Sequence, residues 1–183
     1  MASYGNIAIV DSRSGIIPAS IKWFTNSQFS HSLITMPDVL CIPMCIEAAE
    51  GGVDFLRWDT EYLNNVNEGY ELWMINIDQS IKDTALISVL NDLEVSYGFL
   101  QYPYFILRRI FSLFGKDIKS WNNWFRKDGM ICSQLCVAYL KACGLERVLA
   151  GYGNGSIAPQ DLQNIFKAHP ELFEKTQSIR LSV

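Results

Sequence analysis

Residues 132–144, Cys-Ser-Gln-Leu-Cys-Val-Ala-Tyr-Leu-Lys-Ala-Cys-Gly, constrain the fold more than any other stretch of this chain. Leu135, Cys136, Tyr139, Leu140 and Cys143 recur at the spacing of one helical face, and Gly144 stands where a helix end takes a left-handed residue. A helix with so broad an apolar face has to bury it against a second layer. Earlier segments supply that layer: residues 6–11, 32–36, 40–46 and 70–77 read as strands, with Pro37-Asp38 predicted as the turn between the second and third. Short helices are predicted over residues 18–24 and around 105–114. Another starts at Pro159 and runs to about Ala168, and residues 178–183 read as a last strand. Asp78 is placed to cap a helix reaching about Val95, with Ile81, Ala85, Val89 and Leu93 on its inner face. The predicted class is α+β, and 183 residues fit one domain.

Apolar residues make up 49% of the chain, which excludes a disordered polymer. A net charge of −4 would repel phosphate backbones, so nucleic acid is not an expected partner. Against that background Arg108, Arg109, Lys116, Lys119, Arg126 and Lys127 gather among Phe and Trp residues. They form either a cationic, aromatic surface or a solvated rim beside a buried aromatic stripe. No run of 18 apolar residues exists and residues 1–11 lack the pattern of a signal peptide, so the expectation is synthesis in the cytoplasm with no transmembrane segment. Five cysteines, an odd number in apolar surroundings, suit free thiols in a reducing compartment.

Chemistry is confined to few residues. Of the two histidines, His31 opens a predicted strand, whereas His169 precedes Pro170 at a helix end, where a solvated role is expected. Cys132 opens a helix, where the dipole and free N–H groups favour a thiolate and can hold an oxyanion. Cys136 and Cys143 fall on the buried face. A thiol and imidazole pair needs a third group to fix the ring, and Glu47, ending the strand after that of His31, is the first candidate, with Glu50 close by. The Cys41-x3-Cys45 and Cys132-x3-Cys136 pairs lack the tight spacing of structural zinc sites, so neither metal nor other cofactor is expected.

The order His, Glu, Cys, together with Gly5-Asn6-Ile7-Ala8-Ile9-Val10, Phe29-Ser30-His31-Ser32, Ile46-Glu47-Ala48 and Ile131-Cys132-Ser133-Gln134-Leu135, resembles the circularly permuted branch of the NlpC-type papain-like superfamily. The chain departs from that pattern at Asn6, where the family often has Asp, and at Gln134, where it often has Glu. The resemblance implies a small antiparallel sheet carrying His31 and Glu47, packed against the helix that presents Cys132. It also implies an oxyanion-supporting role for Tyr97 in Tyr97-Gly98-Phe99. The implied reaction is amide hydrolysis through a thioester, for example of a bacterial cell-wall peptide, which would need the enzyme to be delivered by another route such as a phage particle. Lipid acyl hydrolysis or transfer is the alternative, suggested by residues 102–111, and a non-catalytic binding or structural module within a larger assembly is the third.

Overall fold

The computed structural model describes residues 4–12, 15–93, 95–96, 98, 102–116, 118, 129–153 and 156–179. Its six strands are β1 (Ile7–Ser12), β2 (His31–Val39), β3 (Ile42–Ala49), β4 (Gly52–Arg57), β5 (Glu68–Ile75) and β6 (Phe173–Ile179). They form one antiparallel sheet in the order β4-β3-β2-β1-β5-β6. The helices are α1 (Ile16–Thr25), α2 (Gln79–Leu90), α3 (Tyr102–Leu113), α4 (Cys132–Ala142) and α5 (Pro159–Ala168). The architecture is α+β.

Strand β1 lies at the centre, and its apolar run leaves Ile7, Ala8, Ile9 and Val10 fully buried because both faces of the sheet are covered. Ile7 and Ile9 point into the main core with Leu135, Tyr139 and Leu140 of α4 and Leu162 and Phe166 of α5. Ala8 and Val10 point the other way, into a smaller core with Leu33, Trp58, Tyr62 and Tyr70. Alternation along the strand thus sorts the two cores, and a one-residue slip would exchange them.

The predicted elements shift in three places. The β2–β3 turn falls at Leu40-Cys41, both at positive φ (51° and 64°), and not at Pro37-Asp38. Pro37 instead sits in the outer part of β2, where the register with β3 shifts between Met36 and Val39 and no ladder N–H is demanded of it. Helix α2 ends at Leu90, so Leu93 lies beyond it, and the buried face is Lys82, Ala85, Leu86 and Val89, leaving Ile81 exposed. Asp78 occupies the N-cap position but makes no side-chain cap bond. Strand β4 carries no clear sequence signal, and the last strand begins earlier than predicted, its residues beyond 179 falling outside the described set.

Helix α4 is tied to β1 at its far end. The Tyr139 hydroxyl donates to the Gly5 carbonyl at 2.9 Å, and Gly5 adopts φ +69° directly beneath it. A Cβ at residue 5 would lie 2.6 Å from that hydroxyl and 3.1 Å from Lys82 Cβ. Gly5→Ala is expected to cost about 2–3 kcal/mol, from the left-handed backbone plus the lost buried hydrogen bond. Urea denaturation checks this, and a loss under about 0.5 kcal/mol would mean the tie contributes little.

Candidate active site

The β2–β3 register places Leu33 opposite Glu47, so the His31 and Glu47 side chains share one face of the sheet two residues apart on the diagonal. His31 Nε2 lies 2.9 Å from Glu47 Oε2. The same carboxylate oxygen accepts a short hydrogen bond from the Tyr62 hydroxyl. Tyr62 comes from a single π-helical turn, Asp59–Leu63, and is wedged by Trp58, whose ring centroid is 5.1 Å away. Its ring runs nearly parallel to the imidazole, at an interplanar angle of 7° and a centroid separation of 6.4 Å.

On the opposite side of the ring stands Cys132, the first residue of α4. Because His31 begins β2 at the end of the sheet, its imidazole is reached from both layers: by Glu47 from the sheet and by Cys132 from the helix. The thiol lies beside the His31 ring and the Ser32 backbone N–H, both of which draw it toward the thiolate. With Nε2 turned to Glu47, the nitrogen left for the sulfur is Nδ1. Ile131 precedes the helix in an extended conformation, and its N–H is taken by the Gln134 side chain at 3.2 Å, which fixes the entry of the chain into α4. Ser133 Oγ donates to the Ile157 carbonyl at 2.6 Å and holds the same turn against the loop before α5.

The electrostatics follow from this chain of contacts. Burial opposes charge on all three groups, and the pairing overcomes it. Desolvation pushes the Cys132 thiol up, but the His31 charge, its hydrogen bond and the Ser32 N–H bring it below the ordinary thiol value. For His31, desolvation is outweighed by Glu47 and Cys132, which hold the imidazolium well above its usual range. Glu47, although buried, is held below the usual carboxylate range by His31 and by the Tyr62 hydroxyl. The other buried thiols behave oppositely: burial alone dominates at Cys45 and Cys136 and raises both, and it pushes Cys143 up to about 11. Cys132 is therefore the buried thiol whose thiolate form is favoured, where burial disfavours it at the others.

A stability prediction follows with a definite sign. A carboxylate whose folded pKa is depressed contributes stability above its unfolded value, about 4.3, and loses it as the pH falls through the lower folded value. The folded protein is therefore expected to unfold more easily than Glu47→Gln is relative to its own neutral-pH stability once the pH drops below about 4. Thermal unfolding of both proteins from pH 7 to pH 3 measures this. Parallel curves across that range would show that Glu47 is not ionised in the fold.

Two openings meet at the pair. On the His31 side lies a 230 Å³ cleft with four carboxylates, Glu47, Glu50, Glu61 and Glu68, on its walls. Glu68 is hydrogen-bonded by Ser12, and burial, together with the nearby Asp11 and Glu47, holds it above the usual carboxylate range. On the Cys132 side lies a narrow slot of 20 Å³ between α1, α3 and α4, lined by Ile21, Phe24, Phe105, Ile131 and Pro159 with almost no polar surface.

The structure therefore brings together Cys132, His31 and Glu47, the three residues singled out from the sequence. Glu50 lies in the exposed turn after β3, on the rim of the acidic cleft, and the carboxylate on the ring is Glu47. Tyr97 lies outside the described residues. His169 is at the end of α5, where its Nδ1 lies 3.2 Å from Glu171 Oε1 in an exposed turn. Tyr62 was not legible: nothing in Trp58-Asp-Thr-Glu-Tyr62 distinguishes its hydroxyl from any other. Neither was Ser32, whose buried hydroxyl lies against the sulfurs of Cys132 and Cys136 without a well-aligned hydrogen-bond partner. A serine following the ring residue was the only hint.

Among the described residues no group of three or more His, Cys, Asp or Glu side chains is placed to hold a metal ion, and no helix is long and apolar enough to cross a membrane. No family model matches the chain, and no curated protein matches it. Among solved structures it is similar to the crystal structure of the metalloprotein yiiX from Escherichia coli O157:H7 (DUF1105), with a TM-score of 0.55 and 19% sequence identity over 78% of this chain and 67% of that one. At that identity the likeness is one of fold.

Proposed function

We propose that the chain is a papain-like cysteine hydrolase of permuted order, similar to the permuted NlpC-type branch, in which His31 and Glu47 precede the nucleophile Cys132 in sequence. The observation that supports this most is that Tyr62 and His31 both hydrogen-bond Glu47 while the His31 ring lies beside the Cys132 sulfur at the N-terminus of a helix. Glu47 and Tyr62 hold the ring so that one nitrogen faces the sulfur. The thiolate attacks a carbonyl carbon, and the oxyanion is met by the N–H groups of Cys132 and Ser133 at the start of α4, whereas the Gln134 N–H is taken by the Ile131 carbonyl. His31 gives its proton to the departing amine or alcohol, leaving a thioester. It then takes a proton from water as that water attacks, and the acid departs.

Amide hydrolysis is the primary reading, and the acidic cleft beside His31 favours it, since Glu50, Glu61 and Glu68 would attract an amine leaving group as it becomes an ammonium ion. The apolar slot at Cys132 favours a second reading, in which the acyl group is that of a lipid ester or amide. Intact-protein mass spectrometry during incubation with matched peptide amides, acyl amides and acyl esters tests both. A hydroxylamine-sensitive acyl adduct confined to Cys132 is expected. Its appearance with peptide amides alone selects the first reading and with long acyl donors alone the second. Absence of any adduct under conditions where Cys132 alkylates rapidly would overturn hydrolysis.

A further inference from the structure

A 360 Å³ cleft lies between the end of α1 and the second half of α3. Its walls carry Arg109 and Lys116, with Asn26 and Ser112 as uncharged hydrogen-bonding groups. Arg108 also borders it, but its guanidinium is committed to Asp161 at 2.7 and 2.9 Å and to the Ser156 carbonyl at 2.6 Å. Arg109 and Lys116 have no ion-pair partner among the described residues. In a chain of net charge −4, two uncompensated cations facing one concavity are a local reversal of the field.

This cleft adjoins the slot at Cys132. Phe24 and Thr25 line both, and on α3 Phe105 of the slot lies four residues before Arg109, about one helical turn, or roughly 6 Å, along the same face. Starting at Cys132, a bound molecule would have to part the Phe24 and Phe105 rings, since the 20 Å³ slot as it stands has room for about one water, and would emerge between Arg109 and Lys116. We infer that this cleft is an anion subsite, in which Arg109 and Lys116 bind a phosphate or carboxylate group of a substrate whose apolar portion lies in the slot against Cys132. The inference rests on the proposed hydrolase for the identity of the substrate but not for the existence of the subsite. It assigns a specificity-determining role to Arg109 and Lys116 of the basic cluster, whose Lys119, Arg126 and Lys127 lie outside the described residues.

The test is a binding measurement that needs no turnover. Calorimetric titration of the Cys132→Ser protein is made with octyl phosphate, with neutral octyl glucoside and with inorganic phosphate, all below micelle concentrations. Octyl phosphate is expected to bind at least about tenfold more tightly than either, because it alone fills both parts of the site. Arg109→Glu with Lys116→Glu should abolish that preference, and Arg109→Gln with Lys116→Gln should reduce it, with unfolding midpoints confirming that the variants are folded. Equal affinity for octyl phosphate and octyl glucoside would overturn the anion subsite. Equal affinity for octyl phosphate and inorganic phosphate would overturn its coupling to the slot and leave a site for a free anion. Preserved binding in a protein whose Cys132 forms no acyl adduct would retain the subsite and remove the hydrolase reading, so the two fail separately.

Discussion

Replacing His31 by alanine is expected to slow alkylation of Cys132 by iodoacetamide at pH 7 by at least about tenfold, while leaving Cys136 and Cys143 as slow as before. The argument is one of opposing terms. Burial is the largest cause that raises the thiols of Cys45 and Cys136, and Cys132 is nearly as buried as Cys136, so without the imidazolium it should be raised as they are. A thiol with a pKa of about 9 is roughly 1% thiolate at pH 7, each unit by which a partner lowers that value raises the fraction about tenfold, and a partner that merely positions the sulfur would not change it. The pH profile carries the same information. In the parent protein the rate should rise at a pH below the usual thiol range of about 8.5 and stay level until His31 deprotonates at its raised pKa. In His31→Ala it should rise only above about pH 9. A profile unchanged by the substitution, followed by mass spectrometry at each cysteine, would remove the ion pair and the nucleophile assignment with it.

What could be read from the sequence was what local pattern encodes. The start of α4 was legible because periodicity, a free cysteine at the first position and Gly144 at the end all act within a few residues. Pairing of His31 with Glu47 was legible for a related reason: both fall on consecutive antiparallel strands, and parity decides which side chains share a face. Strand β4 was missed because it is a short edge strand whose Val53 is buried while Asp54 is exposed and Phe55 and Leu56 are both half-buried, a pattern without clean alternation.

The hairpin turn was misplaced for an instructive reason. Turn chemistry points to Pro37-Asp38, yet the chain turns at Leu40-Cys41, two residues that pay for left-handed backbone with no glycine or asparagine to ease it. The register of Ile34 with Ile46 and of Leu33 with Glu47 outweighs the local preference, since sliding the turn would move Glu47 away from His31 and Ile46 out of the main core. Tyr62 illustrates the opposite limit. Its contact with Glu47 spans 15 residues and depends on a π-helical turn wedged by Trp58, and no local rule contains that information.

Asp161→Ala is expected to destabilise the protein by about 3–5 kcal/mol, the largest stability effect of any single polar change considered. One Asp161 oxygen accepts both Arg108 at 2.7 Å and the Ala158 N–H at 2.9 Å, so the carboxylate caps α5 and bolts α3 to it at once. Removing it leaves a guanidinium only 15% exposed at its side chain without its charge partner, alongside an uncapped helix start. Asp161→Asn keeps an acceptor for the Ala158 N–H and loses the charge pairing, so its cost should be smaller, and Arg108→Met with Asp161→Leu should recover much of the stability because no charge is then stranded. Denaturant midpoints for the three variants measure these differences. The ordering also bears on the site, because α3 carries Phe105 against Cys132 on the same helix that Asp161 anchors. If Asp161→Ala loses less than about 1 kcal/mol, the pair is a surface contact and α3 is held by its apolar packing against α1 alone.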